Sequence, residues 1–275
     1  MNAMQRSNYW LKVERLRRTL DKKYSSLFFG VLKSELENFA RSVKRDGASA
    51  AVSGLGAVAW DDRIMPIMRQ MYREVATIFG NATFRAVSVD SKKAANPYGL
   101  NDEFLNEITS FLIQWGFLLA SLMTKTTKDR LIVIVNDAMA QGLSNEEIAK
   151  LVLSDPQIQY AKYRSVMIAR TEVMRSSNYA ALKGAEKLPF QVDKIWISTR
   201  DARTRRIPKD FFDHWNMDGQ IVAYNEPFIS SDKVGRPIVV DAPGDPTAPK
   251  GFTINCRCAV GFIPKRDANG QLIMK

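Results

Sequence analysis

Apolar residues recur at helical spacing through the first half of the chain and give way to short alternating runs in the last third. Residues 8–24 read as an amphipathic helix with Leu11, Leu16 and Leu20 set among basic residues. A second helix is expected over 26–44, with Leu27, Phe28, Val31, Leu32, Leu36 and Phe39 as its apolar side. The glycine-bearing stretch 47–56 reads as a loop. Asp61 or Asp62 is expected to cap a third helix, which tolerates Pro66 near its start and stops at Gly80-Asn81. Met65, Met68 and Met71 form a stripe suited to core or partner-helix contact.

Asn96-Pro97-Tyr98-Gly99 punctuates the following loop, and Asn101 is placed to cap a largely apolar helix over 104–124. Another helix, over 129–141, ends at Gly142. Ser144 and Glu147 have the spacing of a capping box, which starts a short helix ending before Pro156. A long helix follows over 157–187, with Tyr163, Val166, Met167, Val173 and Met174 on one face and Arg170 in the middle of it. Beyond Leu188-Pro189 the period changes: 192–198, 221–224, 238–240 and 254–262 read as short strands separated by Pro, Gly and Asp. The expectation is an α+β protein: a mostly helical part over 1–156, then a small loop-rich α+β domain with short antiparallel strands over 157–275.

Charge adds a partner class. The chain of 275 residues carries a net charge of +11, and residues 1–45 hold eleven basic against four acidic side chains. Such an excess favours polyanionic company, with Arg15, Arg17, Arg18, Lys22 and Lys23 as the candidate DNA- or partner-binding face; a merely solvated helix face is the plainer reading. No run reaches the ~18 apolar residues of a membrane span, so stable membrane insertion is not expected. The two cysteines, separated by one residue, are unsuited to a disulfide with each other.

The rare residue types cluster. His214 is the only histidine, and Cys256 and Cys258 are the only cysteines. A strand would turn both cysteines to one side, and with His214 they offer three ligands for zinc, a possible cofactor. Asp201, Asp213, Asp218 and Asp241 are candidates for the fourth place. The other reading is two reduced packing cysteines and a histidine that holds a turn. An arginine on an apolar stripe needs a partner, so Arg170 is expected to form an ion pair between its helix and the segment that follows, with Thr171, Glu172 and Asn178 in the same polar network. Arg170, Glu172 and His214 together also raise the alternative of a DNA-processing or nucleotide-transferring enzyme, although no phosphate loop and no second acid–base partner at defined spacing accompanies them.

Four motifs in order, A-R-T-E-V-M-R-S-S-N-Y-A at 169–180, W-I-S-T-R-D-A-R-T-R at 196–205, D-H-W-N-M-D-G-Q at 213–220 and I-N-C-R-C at 254–258, resemble the phage Mu F-like head morphogenesis family of tailed bacteriophages. The resemblance covers roughly residues 160–262. It marks Arg170, Thr171, Glu172, Asn178, Asp201, Arg203, Asp218 and Asn255 as members of the family's polar pattern. It implies a non-enzymatic minor capsid protein of the virion, near the portal vertex in the head interior. Its implied partners are the portal protein, other capsid proteins and DNA during assembly, packaging or ejection.

Overall fold

The computed structural model describes residues 1–55, 61–88, 102–156 and 161–275. It is an α+β fold in which long helices precede a small domain of short antiparallel strands. Two compact units interleave along the chain, and both take residues from either side of residue 156. One comprises Met1–Asp21, Met71–Ser110 and Arg170–Lys275; the other comprises Lys22–Gln70 and Phe111–Ala169.

The helices are longer and fewer than the local punctuation predicts. Helix α1 runs unbroken over Ala3–Asp46 where two helices are expected. At the predicted break the Ser25 hydroxyl donates to Lys22 O (3.1 Å), so the serine satisfies a helical carbonyl and caps nothing. Its buried stripe is Val13, Arg17, Leu20, Tyr24, Phe28 and Leu32, while Leu11 and Leu16 lie outside; the apolar face expected from Leu11 and Leu16 is therefore displaced around the helix. The segment 47–56, expected as a loop, contains helix α2 (Ala48–Gly54). Gly47 (φ 90°) makes the turn, and the missing cap comes from far along the chain: Asn145 Oδ1 accepts from the Ala48 N–H (3.2 Å).

Helix α3 (Asp61–Ser88) passes through Gly80-Asn81, the expected stop. Asn81 turns its amide back to Thr77 O (2.8 Å), and Gly80 serves close packing, because a Cβ on Gly184 would stand 2.9 Å from Gly80 O. Met68 and Met71 are fully buried, as a core stripe requires. Helix α4 (Asp102–Ala140) is continuous where two helices are expected, and the Lys125–Asp129 pair (2.7 Å, i,i+4) bridges the anticipated gap. It ends as predicted at Gly142 (φ 70°), with Leu143 N–H donating to Ala138 O. The expected caps and loop at 96–101 lie outside the described residues.

Helix α5 (Asn145–Ser154) carries the predicted capping box in full, Ser144 and Glu147 each binding the other's backbone N–H. Helix α6 spans Ala161–Glu186; the expected start at 157–160 lies outside the described residues. Tyr163, read as part of its apolar face, is half exposed. In the Lys22–Gln70/Phe111–Ala169 unit, Leu36, Phe39, Val43, Leu131, Val135, Ile148 and Val152 form a common core.

In the other unit, strands β1 (Val192–Ile197), β2 (Ile221–Ala223) and β5 (Ala259–Pro264) make an antiparallel sheet in the order β2-β1-β5. Its register runs from Val192 opposite Pro264 to Ile197 opposite Ala259. Strands β3 (Phe228–Ser231) and β4 (Pro237–Val240) form a separate hairpin, of which only β4 is legible in the sequence. A single turn, α7 (Lys250–Thr253), precedes the cysteines. The fully buried Trp196 centres the core, with Phe190, Phe228, Phe252, Met174 and Val260 around it. The last strand begins later than expected: Asn255 adopts φ 58°, which breaks any extended run through 254–258 and leaves both cysteines in the irregular segment between the turn at 254–255 and β5. Among the described residues no helix is long and apolar enough to cross a membrane.

Two glycines in long helices are expected to respond in opposite directions. Gly184→Ala drives a Cβ into backbone and should cost about 1–3 kcal/mol in urea unfolding of the full chain. Gly30→Ala, in a helix interior with nothing within 4 Å, should gain roughly 0.5–1 kcal/mol.

Candidate functional site

The site is assembled around helix α6. The Arg170 Nη1 donates to Asn255 Oδ1 (2.9 Å), and the Asn255 N–H donates to Thr171 Oγ1 (2.9 Å), so two adjacent helical residues grip one residue of the I-N-C-R-C turn. Arg170 does form an ion pair, but its carboxylate is Asp21 of α1 (3.8 Å) and not one from the segment that follows α6; that segment supplies the amide of Asn255. Glu172 is fully buried and accepts from the Tyr72 hydroxyl (2.7 Å) and from Arg175 (2.8 Å). Burial, with the Glu172 charge beside it, pushes the Tyr72 hydroxyl well above its ordinary range and keeps it a donor.

Asn178 joins the most segments. Its Oδ1 accepts from Arg17 Nη2 (2.9 Å) and from the Val260 N–H (3.0 Å), while its Nδ2 donates to Pro243 O (2.9 Å) and Cys258 O (3.2 Å). Arg17, expected on the exposed basic face, is instead buried, at 3% exposure. Its guanidinium donates to Ser177 Oγ (2.8 Å), Asn178 Oδ1 and Cys258 O (3.0 Å), which ties α1 to α6 and to the residue before β5. Tyr9 and Trp10 extend this seam by donating to Val260 O (3.1 Å) and Arg257 O (2.9 Å).

Asp201 receives both arms of the Arg257 guanidinium (2.7 and 2.6 Å) and the Arg203 N–H (3.0 Å), and these donors hold its carboxyl well below the usual carboxylate range. The Arg203 side chain is exposed and reaches Asp201 only at 3.5 Å. The Asp218 side chain is buried, accepts from the Ser198 N–H (2.9 Å) and pairs with Arg6 (3.0 Å), fixing the start of α1 to the β1 turn. Trp215, which the sequence did not single out, lies under two guanidiniums, Arg200 at 4.6 Å and Arg206 at 5.0 Å from its ring centre.

His214, Cys256 and Cys258 do converge, all three buried. The His214 Nδ1 lies 3.5 Å from each sulfur. The imidazole is held edge-on by Phe252 (4.3 Å between ring centres) and Trp196 (5.8 Å). Hydrogen bonding from Cys258, with His214 assisting, pulls the Cys256 thiol well below its ordinary value, while burial and the neighbouring Cys256 push Cys258 up. None of the four candidate aspartates joins the cluster among the described residues. Asp201 is taken by Arg257, Asp218 by Arg6 and Ser198, Asp213 by Asn216 (2.8 Å), and Asp241 is exposed.

The three residues of the enzymatic alternative are separately engaged: Arg170 by Asn255 and Asp21, Glu172 by Tyr72 and Arg175, His214 by the cysteines. Of the basic candidates on α1, Arg15, Arg18, Lys22 and Lys23 are exposed; Arg18 pairs with Glu14 (3.1 Å), and the Lys23 ammonium sits 5.1 Å from the Tyr24 ring centre.

Asp21 predicts a pH dependence. Burial raises its carboxyl to about 6, against the pull of Arg170 and Arg17, and its Oδ1 is buried without a partner. The native state then holds a proton that the unfolded chain releases between about pH 4 and pH 6, so stability falls as pH rises through that window. Asp21→Asn should flatten this slope and raise stability at pH 7 by on the order of 2 kcal/mol, read from urea unfolding at a series of pH values.

Residues 131–261 match the family model described as Phage Mu protein F like protein, a span that takes in α5, α6, the Trp196 strand and the cysteine turn. No curated protein and no solved structure matches the chain. The likeness is to a family of phage head morphogenesis and covers just under half of the chain.

Proposed function

We propose that the protein is a minor, non-enzymatic component of the phage head that docks on the portal vertex from the head interior and contacts DNA during assembly, packaging or ejection. The carrying observation is how the family's motif residues are used. Within the matched span Arg170, Thr171, Glu172, Asn178, Asp201, Asp218 and Asn255 all make internal bonds that close a fold, which is the behaviour of an assembly module. Capsid components are the partners that the family supports. DNA contact is supported by the charge of +11 and by the exposed Arg15, Arg18, Lys22 and Lys23 on α1.

Inactivating the gene in the parent phage should leave heads that are misassembled or poor in DNA, and the protein should co-purify with the portal from intact particles. Normal, infectious heads made without it would overturn the reading. For DNA, binding of the full chain to duplex should weaken steeply with salt, by roughly 0.9 in log–log slope for each phosphate neutralised. Reversing Arg15, Arg18, Lys22 and Lys23 to Glu should flatten that slope; absence of binding at low salt would remove DNA from the proposal.

A further inference from the structure

The cluster of His214, Cys256 and Cys258 has dimensions that packing alone does not require. Tetrahedral zinc, bonded at ~2.3 Å to sulfur and ~2.0 Å to nitrogen, sets a nitrogen–sulfur separation of about 3.5 Å. The structure places His214 Nδ1 3.5 Å from both Cys256 Sγ and Cys258 Sγ. All three ligand atoms lie within 4.8 Å of one another. We propose that His214 Nδ1 and the thiolates of Cys256 and Cys258 bind one zinc ion that ties the last strand to the segment after β1. This goes beyond the head-assembly reading and does not depend on it.

Three independent features suit thiolates at this point. The Cys258 N–H donates to Cys256 Sγ (3.4 Å), the kind of outer hydrogen bond that steadies a sulfur ligand. Arg17 is buried with its hydrogen bonds going to the neutral oxygens of Ser177, Asn178, Arg257 and Cys258, and no carboxylate is among those partners. A dicationic metal with two thiolates is neutral as a unit, so it can stand in a buried site beside that guanidinium. Finally, Phe252 and Trp196 fix the ring, so Nδ1 faces the sulfurs with no rearrangement. Soft thiolate donors with one imidazole select zinc or copper(I) over magnesium or calcium.

The chemistry of binding balances simply: Zn²⁺ displaces the thiol protons of Cys256 and Cys258, which leave to solvent, and no electron is transferred. Because the site ties the turn before β5 to the segment after β1, loss of the ion should loosen that closure.

The test uses the full chain, produced in zinc-supplemented medium and purified without chelators. Elemental analysis should find about one zinc per chain, and Cys256→Ser and His214→Ala should each lose it. Because either variant can fail to fold, the wild-type protein carries a parallel test. A strong chelator should lower its Tm by roughly 5 °C or more and expose two reactive thiols, and added zinc should reverse both changes. Cobalt(II) added to the stripped protein should give thiolate-to-metal charge-transfer absorption. Wild-type protein with no zinc above background and no change in Tm or thiol reactivity on adding it would overturn the proposal. Stoichiometric copper in place of zinc, or zinc retained by a Cys256→Ser, Cys258→Ser double variant, would overturn it equally.

Discussion

A side-chain amide can satisfy four neighbours at once, and at Asn178 all of that capacity is used inside the protein. Its oxygen serves α1 through Arg17 and β5 through Val260, while its nitrogen serves the loop at Pro243 and the turn at Cys258. Each such bond is worth only about 1 kcal/mol net, but removing the amide would orphan several buried groups at ~1–3 kcal/mol apiece. The arrangement is therefore close to all-or-none. Arg17 makes the same point with a charge: a buried guanidinium is tolerable only while Ser177, Asn178 and Cys258 all stand in place.

What was legible in the sequence was local. The Ser144–Glu147 capping box, the Gly142 stop and the strands at 192–197 and 237–240 depend on residues a few positions apart, and the structure contains them. Helix interruptions were legible only as possibilities, because glycine, serine and asparagine have uses inside a helix. Gly80 admits Gly184, Asn81 and Ser25 bond to their own helix, and Lys125–Asp129 stitches α4 where a gap was expected. Tertiary packing overrides weak propensity at each of these points.

At the site, membership was readable and partnership was not. The rarity of His214, Cys256 and Cys258 marked them as a group, and they do meet. The aspartates offered as further ligands are bound elsewhere, since an aspartate in a tight turn is first recruited by nearby N–H groups, as Asp213 is by Asn216 and Asp201 by Arg203. Arg17 carried the same signal as Arg170, a cation on an apolar helical stripe, but only once the stripe is drawn through Val13, Leu20 and Tyr24 rather than through Leu11 and Leu16. That choice depends on which face meets α6 and β5, and the helix's own residues do not carry the information.

The family match begins at residue 131, yet the bonds that complete the matched fold begin far earlier. Arg6 pairs with Asp218, Tyr9 and Trp10 bind the backbone of Val260 and Arg257, Arg17 fills the space between Asn178 and Cys258, and Tyr72 satisfies Glu172. Without these partners Glu172 and Asn178 would be buried and underbonded, and Asp218 would lose its nearest cation. The first turns of α1 are thus part of the fold that the later motifs define. The basic N-terminal helix thus presents two different faces: Arg17 on the buried face bonds the backbone of Cys258, while Arg15 and Arg18 lie on the exposed one.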